Sequence, residues 1–260
     1  MTKSPYFFDT QEIPDFPSLC ACFTGKSLQS PHRSTVPLLS LVRHSQPQWN
    51  ALLDSWRAPH QARVHFEYCV ASPKRGGHAS QTDALLVSDS TVWAVEAKWR
   101  EPRYETVAER LSKPEDDGAD PRGTLNGWMR HLQPFTTRTL QIDVFADVVY
   151  QVLHRAASAC AVATAQKLSP ELVYLHFHPF QLKNSATTAQ YVSDLAHLHA
   201  LLGSPAGFVF RVVELPLRPT AAFESIKGSD KHSPATSARV AEALCHEPLF
   251  TFGTPTSKRI

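Results

Sequence analysis

Apolar positions along the chain switch repeatedly between helical and strand-like spacing. Leu38, Leu39 and Val42, then Trp49, Leu52, Leu53 and Trp56, recur at helical intervals. Pro47 splits that stretch into two helices, sitting near the first turn of the second, and Pro59 ends it. Residues 64–70, VHFEYCV, place Val64, Phe66, Tyr68 and Val70 on one face, as a half-buried strand does. Two β-branched runs, Ala84–Val87 and Val92–Val95, flank a Ser-Asp-Ser-Thr turn and predict a hairpin. Residues 125–135 predict a short helix, and 145–165 a long one with a broad apolar stripe. A strand at 172–177, a helix at 189–202 stopped by Gly203 and Pro205, and a strand at 207–215 ended by Pro216 follow.

The order helix, strand, two-strand hairpin, helix, strand, helix, strand predicts an α/β domain over 36–218, with a mixed central sheet flanked by helices. Residues 1–35, rich in proline, serine and aromatics, read as an irregular N-terminal arm. Residues 101–124 read as an exposed loop insertion, and 219–260 as a tail with one short helix at 237–245.

Composition narrows the function classes. At 260 residues the chain can bury a sizeable core, and 42% hydrophobic with 19% charged residues is ordinary for a globular protein. A net charge of +2 confines any basic surface to a local patch. Five irregularly spaced cysteines argue against a secreted disulfide framework. With no leader-like opening and no long apolar run, a soluble cytoplasmic protein with no membrane partner is expected. Neither a phosphate-binding glycine loop nor a serine or cysteine nucleophile motif appears. Cys20, Cys22 and His32 lack a second ligand pair at zinc spacing, and His176 with His178 reads as a hydrogen-bonded strand pair.

The chemistry concentrates in the hairpin, QTDALLVSDSTVWAVEAKW at 81–99. A two-residue loop at Asp89-Ser90 sets Asp83 directly across from Glu96, with Cβ atoms about 4.5–5.5 Å apart on one face. Lys98, two residues beyond Glu96, shares that face. Opposed carboxylates destabilise a sheet unless a counter-ion joins them. Mg²⁺, which takes one or two carboxylates plus water and phosphate oxygens, suits the need. Glu67 reaches the same face if its strand pairs beside the hairpin. The Asp54 carboxylate reads instead as a solvated helix residue.

Asp83, followed thirteen residues later by Glu96-Ala97-Lys98 closing an apolar strand, resembles the PD-(D/E)xK nuclease superfamily, although Thr82 stands in place of its proline. The resemblance implies a restriction-endonuclease-like αβββαβ core. It also implies metal-dependent hydrolysis of nucleic-acid phosphodiesters, DNA first. Asp83 and Glu96, with the Ala97 carbonyl and Glu67, would hold Mg²⁺, or Mn²⁺ as a substitute. Lys98 would position the attacking water or stabilise charge on the phosphate. Lys74 and Arg75, in a basic glycine-containing loop, and Gln151 and Arg155, partners four residues apart on one helix, are candidate phosphate contacts. A homodimer is an allowed assembly. The alternative on the same fold is a catalytically inactive nucleic-acid-binding or assembly protein.

Overall fold

The computed structural model describes residues 6–25, 27–73, 79–113, 120–178, 185–229 and 233–260. In chain order the elements are β1 (Tyr6–Phe8), β2 (Gln11–Ile13), α1 (Phe16–Phe23), α2 (Thr35–His44), α3 (Gln46–Trp56) and β3 (Arg63–Val70). There follow β4 (Ser80–Val87), β5 (Thr91–Lys98), α4 (Val107–Leu111), α5 (Pro121–Leu132), α6 (Tyr150–Gln166) and β6 (Ser169–His178). The chain finishes with α7 (Thr188–Leu201), β7 (Val209–Pro219), α8 (Ala221–Ile226), α9 (Pro234–His246), β8 (Phe250–Phe252) and β9 (Thr256–Arg259).

The fold is α/β, with a mixed central sheet flanked by helices. Its strand order is β2-β1-β3-β4-β5-β6-β7-β8, with β9 also paired to β7. The β3–β4 and β4–β5 pairs are antiparallel, whereas β5–β6 and β6–β7 are parallel. Strand β5 is apolar almost throughout because both of its faces are covered. Trp93, Val95 and Ala97 join a core built with α1, α2, α3 and α9, and Val92 and Ala94 join one built with α5, α6 and α7. Among the described residues no helix is long and apolar enough to cross a membrane.

Three segments are more regular than their sequence suggests. In the N-terminal arm, β1 pairs in parallel with β3, and α1 is capped by Asp15, whose carboxylate accepts from the Ser18 amide at 2.8 Å. A three-residue strand and an eight-residue helix are too short to show a period. The tail carries α8 and α9, and β8 and β9 pair with successive parts of the β7 edge. The 101–124 stretch contains α4, closed by a capping box between Thr106 and Glu109, and the start of α5. Conversely, α6 begins at Tyr150 rather than 145. The Val107 amide donates to the Val148 carbonyl at 2.8 Å, and the Tyr150 amide to the Glu105 carbonyl at 2.9 Å. Those main-chain groups are thereby withdrawn from a longer helix.

Candidate functional site

The hairpin register is the expected one: Ala84 faces Val95, Leu85 faces Ala94, Leu86 faces Trp93 and Val87 faces Val92. One step further brings Asp83 opposite Glu96, and there the main-chain pairing stops. The Asp83 carboxylate takes over, Oδ2 accepting from the Ala97 amide at 2.7 Å. On its other side β5 stays paired with β6 through Lys98, which faces His176. Strands β4 and β5 thus part at the C-terminal end of β5, and a cavity of about 370 Å³ opens beside them. Asp83, Glu96, Ala97, Lys98, Glu67, Gln151 and Arg155 all line it.

Charge in this cavity is closely arranged. Lys98 Nζ donates to Glu96 Oε1 at 2.8 Å, and both side chains are only 3% exposed. Arg155, from α6, brings Nε to 2.6 Å from Glu96 Oε2. That contact is an ion pair outside hydrogen-bond alignment, so Oε2 remains a buried acceptor without an aligned donor. Burial alone would raise the Glu96 pKa, but Arg155 and Lys98 outweigh it and hold the carboxyl below its ordinary range. Burial also pulls Lys98 down, yet Glu96 and Tyr104 overcome the pull and keep its pKa raised, so the side chain is a cation. Asp83 differs from Glu96: burial, then the Glu96 charge, push its carboxyl well above the usual range. Two facing carboxylates with opposite shifts mark a site short of positive charge at Asp83.

Arg155 is itself held. Its Nη1 donates to Ser80 Oγ at 2.7 Å, and Ser80 Oγ lies 3.1 Å from His154 Nδ1. Guanidinium only donates, so Ser80 Oγ accepts from Arg155, and it shares a second hydrogen bond with His154 Nδ1. Burial, then Arg155, push His154 well below its ordinary pKa, in keeping with a neutral ring. Arg155 therefore contacts both Glu96 and Ser80.

Glu67 reaches the cavity as expected, with Ser27 Oγ donating to its Oε1 at 3.5 Å. Its backbone is left-handed, φ 49°, a conformation that costs a non-glycine residue about 1 kcal/mol or more and gathers at functional sites. Even so, among the described residues no group of three or more His, Cys, Asp or Glu side chains is placed to hold a metal ion. Glu67 lines the same cavity as Asp83 and Glu96, and its charge adds to the rise in the Asp83 pKa. Asp54 lies apart on α3, exposed and 2.7 Å from His60. Lys74 and Arg75 lie outside the described residues.

Several cavity residues carry no sequence signal. Arg33 and Ser34 precede α2, and Glu101 and Tyr104 follow β5 in an irregular segment. Glu101 ties the two segments together. Its carboxylate accepts from the amides of Trp99 at 2.6 Å, Arg100 at 2.9 Å and Ser34 at 3.2 Å.

A family model described as Domain of unknown function (DUF6946) matches residues 21–215. The chain belongs to the DUF6946 family. No curated protein and no solved structure matches it. The DUF6946 region runs from within α1 into β7 and contains every lining residue named above. It leaves the peripheral strands β1, β2, β8 and β9 outside.

Proposed function

We propose that this DUF6946 protein is a metal-dependent nuclease that hydrolyses phosphodiester bonds of nucleic acid, DNA first, on a restriction-endonuclease-like core. The observation that carries the reading is the pair Asp83 and Glu96, opposed on adjacent strands, with Lys98 buried beside Glu96 in one cavity. The order α2 and α3, β3, β4, β5, then α6 and β6 after the intervening α4 and α5, supports it, since the PD-(D/E)xK resemblance implies an αβββαβ core.

The donor set suits Mg²⁺. It offers two hard carboxylates, one with a buried oxygen lacking an aligned donor, and Asp83 sits where positive charge is short. Water and the substrate's phosphate oxygens would complete the coordination, as Mg²⁺ prefers. When bound, the ion supplies Lewis acidity and lowers the pKa of water. The chain's own groups do the rest. Asp83 and Glu96 would hold the ion, and the Lys98 ammonium beside Glu96 would offset negative charge on the phosphate. Arg155, pinned by Ser80, keeps Glu96 ionised.

One observation favours the inactive alternative: Lys98 and Arg155 already compensate Glu96 without a metal. The two readings separate when plasmid, linear and single-stranded DNA and RNA are incubated with Mg²⁺ or Mn²⁺, beside Asp83→Ala and Lys98→Ala. Metal-dependent cutting that both variants lose supports the nuclease. Binding without cutting by all three supports the binding protein, and cutting indifferent to Asp83→Ala refutes the site.

A further inference from the structure

We propose that the cavity takes the end of a single strand, with one nucleotide entering, its base laid on Tyr104 and a neighbouring phosphate against Arg33. A duplex laid across the opening is the arrangement this excludes. The inference rests on the nuclease reading and deepens it.

Depth comes first. The Glu96 and Lys98 side chains are 3% exposed, so a reacting phosphate must descend into the cavity to come within hydrogen-bond reach of Nζ, about 3 Å. The cavity volume, about 370 Å³, falls near the lower end of the roughly 300–1,000 Å³ typical of small-molecule sites. That is room for one nucleotide. A phosphate in a duplex is flanked by its own strand's neighbours and by a second strand, and cannot be lowered so far while the helix stays paired.

The second observation is Tyr104. Large hydrophobic side chains are mostly buried here, but Tyr104 is 44% exposed and lines the same cavity. Lys98 Nζ stands 4.8 Å from the centroid of its ring. The ring thus connects the reactive ammonium with solvent, and a base stacked on it keeps its own phosphate within a nucleotide's reach of Lys98. Stacking of this kind contributes about 1–3 kcal/mol per base and tolerates any sequence.

The third is how the cations around the cavity are committed among the described residues. Arg103 is committed to Asp194, through Nη2 to Oδ1 at 2.7 Å and Nε to Oδ2 at 3.0 Å, and Arg100 contacts His32. Arg155 is committed to Glu96 and Ser80. Among the described residues that line the cavity, Arg33 is the exposed cation outside an ion pair, placed to meet one phosphate.

The test measures fluorescence anisotropy of the full chain in EDTA with a labelled single strand, a blunt duplex and a duplex bearing an overhang. Tyr104→Ala, Tyr104→Trp and Arg33→Gln are run alongside the unsubstituted chain. The single strand and the overhang should bind tighter than the blunt duplex. Tyr104→Ala should weaken single-strand binding roughly 5- to 150-fold, and Tyr104→Trp should retain it. Arg33→Gln should reduce the salt slope by about 0.7. Blunt-duplex binding as tight as single-strand binding, or indifference to Tyr104→Ala, overturns the inference. A parallel Mg²⁺ cutting assay reads the nuclease separately. Circular single strands cut as fast as linear ones, by both the unsubstituted and Tyr104→Ala chains, would keep the nuclease and overturn the strand end. Tyr104-dependent single-strand binding without any cutting would keep the binding mode and overturn the nuclease.

Discussion

Removing Arg155 probes whether Glu96 is a metal ligand awaiting an ion or one arm of a structural ion pair. In Arg155→Leu the buried Glu96 Oε2 loses its 2.6 Å ion-pair partner, while Lys98 remains on Oε1. Breaking a buried pair by removing one partner costs about 3–5 kcal/mol, and the retained Lys98 contact points to the low end, about 3 kcal/mol. For a chain of this size that lowers the Tm by roughly 6–12 °C. The nuclease reading adds a second expectation. The site has lost a positive charge, so 10 mM Mg²⁺ should stabilise the variant more than the unsubstituted protein. A Kd of about 1 mM would return about 1.4 kcal/mol, or roughly 3–5 °C. Thermal denaturation with and without Mg²⁺ reads both effects, and adding Glu96→Gln should abolish the Mg²⁺ response. An unchanged Tm would refute the ion-pair argument. A lowered Tm that Mg²⁺ leaves where it is would refute Glu96 as a ligand.

Three further outcomes follow from the same geometry. Asp83→Asn keeps an oxygen for the Ala97 amide but removes a carboxyl whose ionisation burial and Glu96 disfavour, so it should stabilise the metal-free protein by roughly 0.5–2 kcal/mol. A lower Tm in EDTA would refute that. His176 is buried, bonded through Nδ1 to Thr188 Oγ1 at 2.7 Å, and burial, then His178, lower its pKa to about 4. The unfolded chain, near pKa 6.5, binds the proton first, so stability falls as pH drops below about 6.5 and the loss levels off near 4. By pH 5 this one group costs about 2 kcal/mol, and His176→Asn should lack that share of the acid sensitivity in denaturant titrations. Finally, a Cβ at Gly127 would lie 2.4 Å from Pro73 Cβ. Gly127→Ala should therefore lose about 1–3 kcal/mol to overpacking despite roughly 1 kcal/mol of helix propensity gained, and a more stable variant would refute the close approach of α5 to that loop.

What the sequence reveals about this site follows from how locally each residue is determined. The facing of Asp83 and Glu96 depends on one turn, Ser88 to Thr91, and on the two-residue period of a strand. Both are local, and the observed register agrees with them residue for residue. Gln151 and Arg155 were legible for the same reason, because four residues along a helix always share a face. Pairing partners beyond the hairpin are another matter. That α6 lies against β4 so that Arg155 meets Ser80, 75 positions away, depends on the packing of two cores, and no short-range pattern encodes it. Arg33 and Tyr104 sit in segments without period, and they approach the cavity only because Glu101 binds the amides on both sides. The arm and tail strands were hidden by brevity, since three or four residues cannot display an alternation. The asymmetry bears on the chemistry. The residues read locally are the acidic pair and its lysine, which on the proposed nuclease reading bear on whether bonds can be cut. Those set by tertiary packing are the wall and the rim, which on the same reading bear on what can enter. Under that proposal, a homologous chain that kept Asp83, Glu96 and Lys98 but lost Tyr104 and Arg33 would be expected to keep the reaction and change its substrate.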